Sequence, residues 1–63
     1  MNGLLKPLRA GSKYRITDGF YIGRLCKVIE FLAKGYLAYV EILGPWGEET
    51  GLKDHVKSTY LDN

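Results

Sequence analysis

Apolar and polar side chains alternate along three stretches of the chain, a pattern typical of strands with one buried face. Residues 13–17 place Tyr14 and Ile16 on one side, and residues 25–31 are rich in branched and aromatic side chains. The longest stretch is 36–43. Because side chains two positions apart share a face, its uniformly apolar set is predicted to face the core. That set is Tyr36, Ala38, Val40 and Ile42, and the outward set is Leu37, Tyr39, Glu41 and Leu43.

Turn-forming residues separate these stretches. An Asp-Gly pair at 18–19 begins a turn that leads into an unusually apolar loop, residues 20–24. Residues 32–35 predict a hairpin connection, in which Gly35 supplies a positive φ if the turn requires one. The Gly-Pro-Trp-Gly cluster at 44–47 ends the third strand.

The rest of the chain has weaker patterns. A short strand is predicted at 48–52, with Thr50 and Leu52 facing inward. Asp54 is a candidate cap for one helical turn, and a last short strand is predicted around residues 60–61.

The predicted elements indicate a small all-β protein. No stretch predicts a helix of ten or more residues, and 63 residues allow a single domain. Short strands with tight turns in so short a chain indicate a five-stranded barrel, closed or nearly closed, because closure removes exposed sheet edges. We assign residues 1–10 to an N-terminal arm and residues 11–63 to the barrel domain.

Composition restricts the classes of function. Uncharged runs such as 35–40 are far shorter than the ~20 apolar residues of a membrane span. Cys26 cannot form an internal disulfide because it is the only cysteine, so we expect a reducing, cytoplasmic compartment. Cys26 and His55 lack a third group to orient them. We therefore expect no enzyme, no metal and no cofactor.

Residues 11–30 read Gly-Ser-Lys-Tyr-Arg-Ile-Thr-Asp-Gly-Phe-Tyr-Ile-Gly-Arg-Leu-Cys-Lys-Val-Ile-Glu, and this stretch resembles the KOW motif. Residues 39–44, Tyr-Val-Glu-Ile-Leu-Gly, resemble a Val-x-Ile-Phe-Gly segment of the NusG C-terminal domain. The resemblance covers about residues 11–57. It implies an SH3-like barrel of the KOW type, and it implies that the loops after the first and third strands lie on the same side.

Those two loops carry more large apolar side chains than turns require, which is typical of a protein interface. In NusG the corresponding patch docks protein partners, and the resemblance places Tyr21, Ile42 and Leu43 at contact positions. The alternative is that Phe20 and Trp46 close the ends of the barrel. The protein-binding candidates are Phe20, Tyr21, Ile22, Ile42, Leu43 and Trp46.

Cationic residues are concentrated in the first half of the chain. Residues 1–34 contain seven Lys or Arg and two acids, whereas residues 35–63 contain two Lys and five acids. Cations interleaved with aromatic residues could hold a phosphate backbone and stack bases. Solvated charges and cross-strand packing are the alternatives. The nucleic-acid-binding candidates are Lys13, Arg15, Arg24, Lys27 and Tyr39.

Together these features predict a noncatalytic interaction module of the transcription or translation apparatus. Its partner would be RNA polymerase, the ribosome or another host protein, with RNA or DNA binding left open. One alternative is a small adaptor or inhibitor of phage or mobile-element type. Another is a peripheral SH3-like subunit of a larger complex, since residues 11–16 resemble an SH3-like accessory protein of photosystem I. Self-association through Leu37 and Tyr39 is also open.

Overall fold

A single antiparallel sheet of five strands forms the protein. The computed structural model describes residues 7–62, and the order across the sheet is β4-β3-β2-β1-β5. Short 3-10 turns at Ala33–Gly35 and Ser58–Tyr60 join β2 to β3 and β4 to β5. The strands are β1 (Lys13–Ile16), β2 (Leu25–Leu32), β3 (Leu37–Leu43), β4 (Glu49–Lys57) and β5 (Leu61–Asp62). The predicted all-β, five-stranded fold is confirmed.

The sheet curls into a barrel-like body but is not closed. Within residues 7–62, β4 and β5 are the two outer strands and do not pair with each other. The predicted arm lies partly outside the described residues, which begin at position 7. Its described part contacts the sheet, because the Tyr14 hydroxyl accepts a hydrogen bond from the Arg9 amide at 2.7 Å. In the described part of the chain, no helix has the length and apolar character needed to cross a bilayer.

The core lies on the concave side of the sheet. Predicted inward residues Ala38, Val40 and Ile42 are fully buried, which confirms the alternation in β3. Because antiparallel partners lie opposite each other, the register places Val28 against Val40 and Cys26 against Ile42. The buried core residues are Tyr14, Ile16, Cys26, Val28, Ala38, Val40, Ile42, Leu43, Val56 and Leu61.

Both ends of the third strand depart from the prediction. Tyr36 was predicted to be in the core, but it precedes β3 in the connecting turn and is 54% exposed. Leu43 was predicted to face outward and is buried. The β3–β4 register shifts between Ile42 and Leu43, whose partners are Leu52 and Glu49. Strand β4 therefore holds two extra residues here, and the regular pairing that accompanies the alternation of β3 ends at Ile42.

The fourth strand is much longer than predicted. Glu49–Lys57 pairs along nearly all of β3, so the predicted end at residue 52 and the helical turn at Asp54 are wrong. Thr50 and Leu52 are exposed rather than inward. Backbone hydrogen bonds to β3 stabilise this polar edge strand. Because such pairing does not require an apolar face, the sequence pattern did not predict its full length. The helical turn occurs later, at Ser58–Tyr60.

The turn between β2 and β3 contains three consecutive residues with positive φ. Gly35 has φ 92°, as predicted, while Ala33 and Lys34 have φ 54° and 56°. Leu32, predicted within this turn, is the last residue of β2 and pairs with Leu37.

Candidate functional site

The loop between β1 and β2 is fixed to the sheet along its length. At its base the Thr17 hydroxyl donates to the Tyr60 carbonyl at 2.9 Å, and the Gly23 amide donates to the Ile16 carbonyl at 2.7 Å. Near its middle the Tyr21 hydroxyl donates to Asp54 Oδ2 at 2.7 Å. The backbone of this loop is therefore fixed by hydrogen bonds where it presents its apolar side chains.

Phe20 and Ile22 flank the anchored Tyr21 and point into solvent. Phe20 is 91% exposed and Ile22 is 62% exposed. The Phe20 and Tyr21 rings meet edge to face, with centroids 4.9 Å apart, an arrangement that favours one ring orientation. We call Phe20, Tyr21 and Ile22 the Phe20 loop surface.

The hydrogen bond between Tyr21 and Asp54 shifts both pKa values. The bond to the Tyr21 hydroxyl holds the pKa of Asp54 below its ordinary value, with help from the His55 amide. The same bond raises the pKa of Tyr21 above 10.0, because the phenol must keep its proton to donate.

Trp46 lies on a second loop whose backbone is fixed by hydrogen bonds. The Gly47 amide donates to the Gly44 carbonyl at 2.9 Å, and the Trp46 amide donates to Glu48 Oε1 at 2.9 Å. The Trp46 side chain is 89% exposed. The alternative in which Phe20 and Trp46 close the barrel ends is wrong, because both rings lie almost wholly in solvent.

The two loops meet at their bases and contact different parts of the sheet. Arg24 Nη2 donates to the Leu43 carbonyl at 3.1 Å, which joins them. Tyr21 contacts Asp54, whose register partner is the buried Val40, so the Phe20 loop surface adjoins the core-facing side of β4. The Trp46 loop instead lies beside outward cations of β1. A Cβ at Gly47 would lie 3.8 Å from Lys13 Nζ.

Ile42 and Leu43 do not belong to an exposed contact surface. Their side chains are 0% and 1% exposed. Ile42 faces the core, and Leu43 is also buried, at the point where the β3–β4 register shifts. Of the predicted protein-binding residues, only Phe20, Tyr21, Ile22 and Trp46 reach solvent.

Four of the five predicted nucleic-acid-binding residues lie close together. Lys13 and Lys27 are register partners on β1 and β2. Arg15 Nη1 donates to the Gly23 carbonyl at 3.2 Å, so its guanidinium turns toward Arg24. Arg15 and Arg24 line a shallow cleft of about 260 Å³ together with Gly23, Leu25, Leu43, Gly44 and Pro45.

Tyr39 lies farther along the outer face, opposite Glu30 of β2. It pairs with His55 of β4, and the two ring centroids are 4.8 Å apart. The sequence pattern did not reveal this contact because it ended the fourth strand before His55. Nor did it reveal Lys57, whose ammonium group lies 5.9 Å from the Tyr36 ring centroid. Hydrogen bonding to Tyr36 raises the pKa of Lys57.

Cys26 and His55 are not brought together. Cys26 is buried on the core side of β2, whereas His55 is exposed on the outer side of β4. Burial raises the pKa of the Cys26 thiol, which disfavours the nucleophilic thiolate. Among residues 7–62, no three His, Cys, Asp or Glu side chains are grouped closely enough to hold a metal ion.

No protein-family model, no curated protein and no solved structure matches this chain.

Proposed function

We propose that the protein is a noncatalytic interaction module that docks another protein on the Phe20 loop surface. One observation carries the proposal: Phe20 is 91% exposed on a loop whose backbone is hydrogen-bonded to the sheet. Burying a large apolar ring against a partner lowers the free energy of the complex. A loop whose backbone is already fixed loses little conformational entropy on binding.

The anchoring of Tyr21 supports this role. Its hydroxyl donates to Asp54, and its ring supports Phe20 from one edge. The ring is therefore already oriented before a partner arrives. Such a preformed aromatic anchor is typical of the few residues that dominate the energy of a protein interface.

The resemblance to the KOW motif supports a partner in the gene-expression apparatus. By the resemblance, Tyr21 stands at a family contact position. The proposed partners are RNA polymerase and the ribosome in the cytoplasm. A small adaptor of phage type would use the same surface on a different host protein.

A direct binding measurement tests the proposal. The chain, labelled at its N-terminus, is titrated with purified bacterial RNA polymerase and with small ribosomal subunits while fluorescence anisotropy is followed. Binding to one of them is expected. Replacing Phe20 or Ile22 by Ser should weaken it about tenfold or more, because these side chains are the exposed anchors.

Tyr36→Ser is the matched control. Tyr36 is also an exposed aromatic residue, but it lies in the β2–β3 turn, at the opposite end of β2 from the Phe20 loop surface. Equal weakening by Tyr36→Ser and Phe20→Ser would contradict docking on this surface. If neither purified partner binds, the assignment to the gene-expression apparatus is wrong. Nuclease-treated lysate passed over immobilised wild type and Phe20→Ser would then identify an adaptor's target by its loss from the variant.

A further inference from the structure

Two guanidinium groups line the cleft between the two loops. Arg15 comes from the outer face of β1 and Arg24 from the end of the first loop. Each donates one hydrogen bond to a backbone carbonyl, Arg15 to Gly23 and Arg24 to Leu43. A guanidinium has five N–H donors, so both retain donors for a ligand while their positions are held.

Two lysines extend this positive charge along the outer face. Lys13 and Lys27 are directly opposite each other on β1 and β2, a like-charge pair that lowers sheet stability. Lys13 Nζ also reaches toward Gly47 of the Trp46 loop. An anionic ligand would relieve the repulsion between the two ammonium groups.

Three acids lie near these cations. Asp62 is the register partner of Arg15, and Glu41 is the register partner of Lys27. Two of the three carboxylates are already engaged by backbone amides. Glu41 Oε2 accepts from the Gly51 amide at 2.9 Å, and Glu48 Oε1 accepts from the Trp46 amide at 2.9 Å. Glu49 lies opposite Leu43 of the cleft wall and adds a fourth acid, so the attraction for phosphate comes from the two guanidinium groups themselves and not from a net positive charge.

Trp46 follows Pro45, which forms part of the cleft wall. Its indole ring is 89% exposed, so a flat ligand can reach it. An exposed aromatic ring beside phosphate-binding cations is the arrangement on which unpaired nucleobases stack. A base within a duplex has both faces covered by its neighbours, so the ring selects single strands.

We propose that this cleft and Trp46 form a binding site for single-stranded nucleic acid. Arg15 and Arg24 hold one phosphate in the cleft, and Lys13 and Lys27 hold its neighbours along the outer face. The adjacent base stacks on Trp46. The site does not include Phe20, Tyr21 or Ile22, and we expect it to bind its ligand without a protein docked on the Phe20 loop surface.

Trp46 is the only tryptophan in the chain, so intrinsic fluorescence reports directly on the site. The protein is titrated with oligo(dT) and oligo(U) of about 12 nucleotides, a length within the range of small barrel sites. We expect the Trp46 emission to be quenched on binding. Two to four phosphate contacts should give a slope of log affinity against log salt of about −1.4 to −2.8.

Matched variants distinguish binding at the cleft from a general effect of the protein's charge. Arg15→Gln and Arg24→Gln keep an amide donor for the backbone carbonyls, and each should weaken binding several-fold and reduce the salt slope by about 0.7. Lys34→Gln removes the same charge in the β2–β3 turn and should change affinity less than about twofold. Trp46→Ala, followed by anisotropy of a labelled oligonucleotide, should weaken binding about 5- to 100-fold. Trp46→Phe should restore part of the loss.

Several outcomes would overturn the proposal. The first is absence of quenching and of anisotropy change at about 50 mM salt, where phosphate contacts are strongest. Equal effects of Lys34→Gln and Arg15→Gln would indicate diffuse attraction without a site. If tripolyphosphate displaces the oligonucleotide and Trp46→Ala has no effect, the cleft binds anions only. If a duplex binds as tightly as the single strand, base stacking on Trp46 is not the basis of recognition.

Discussion

Tyr21 and Asp54 form one hydrogen bond whose strength depends on the protonation of both partners. The bond lowers the pKa of Asp54 from 3.8 and raises that of Tyr21 from 10.0. The stabilisation from Asp54 is therefore complete above about pH 3.8 and is lost as pH falls through its lowered folded-state pKa. That from Tyr21 is complete below about pH 10.0 and is lost as pH rises through its raised folded-state pKa.

Replacing Tyr21 by Phe should lower stability by a constant amount between these limits, because the variant lacks the donor. The difference between wild type and variant should shrink at both pH extremes. Urea unfolding across the pH range measures it, and NMR titration of Asp54 should show its pKa rising toward 3.8 in the variant. A stability difference that stays the same from pH 2 to pH 11 would mean that the hydroxyl contributes nothing through Asp54.

Cys26 gives a second prediction at the residue scale. Its side chain is fully buried, and burial raises the pKa of its thiol above 9.0. A thiol reagent such as DTNB should therefore react with the folded protein only through unfolding. The labelling rate at pH 8 should rise with urea in parallel with the unfolded fraction. Rapid labelling without urea, at the rate of the denatured chain, would show that β2 opens locally around Cys26.

At the scale of an element, substitutions at two glycines of the β1–β2 loop distinguish the cost of backbone strain from the cost of overpacking. Gly19 and Gly23 both have φ of 87°, a conformation that costs an L-residue about 1 kcal/mol or more. A Cβ at Gly23 meets nothing within 4 Å, whereas a Cβ at Gly19 would lie 2.8 Å from Tyr60 Cε2.

Gly23→Ala should therefore destabilise the protein by about 1 kcal/mol, and Gly19→Ala by a further ~1–3 kcal/mol from overpacking against Tyr60. Urea midpoints of the two variants provide the comparison. Because Tyr60 accepts the Thr17 bonds at the base of the loop, Gly19→Ala should also weaken docking on the Phe20 loop surface. Equal destabilisation by both variants would show that the Tyr60 ring moves aside without cost.

The same scale shows what sequence patterns can predict. Strands with one buried face reveal themselves by alternation, and this located β1, the core face of β3 and the start of β2. Strand β4 has a single buried side chain, Val56, so its sequence carries no comparable pattern. Its existence depends on backbone pairing with β3, which its own side chains do not encode.

The candidate sites were predictable to a similar degree. The excess of apolar residues in turns correctly marked Phe20 and Trp46 as exposed, and the outward alternation of β1 and β2 brought Lys13 and Lys27 together. The register shift between β3 and β4 after Ile42 could not be anticipated, and Leu43 beside it is buried rather than outward. The contacts of the two loops, Tyr21 with Asp54 and Gly47 near Lys13, depend on the direction in which each loop folds, which is a tertiary property.

At the scale of the whole molecule, a chain of 63 residues has little stability to spare. Ile42 and Leu52 are register partners, but Ile42 is fully buried and Leu52 is 46% exposed. Ile42→Ala should cost about 2–5 kcal/mol, a large fraction of the total for a domain of this size. Leu52→Ala should cost much less.

Thermal unfolding of the two variants measures this difference. At a temperature where Ile42→Ala remains folded, its affinity for a docked protein should equal that of wild type, because the side chain does not reach the surface. Reduced affinity in a fully folded Ile42→Ala protein would show that Ile42 contributes to the interface.

The order of strands in space also constrains the order in which they assemble. Strands β2, β3 and β4 are consecutive in the chain and are connected by short turns, so they can pair early in folding. The junction of β1 with β5 joins Thr17 to Tyr60, residues 43 positions apart, and closing so long a loop costs more entropy. On a ribosome that junction waits until the last strand has left the exit tunnel. Until then the base of the β1–β2 loop lacks its Tyr60 carbonyl partner, so we expect this loop to become ordered only after β5 is available.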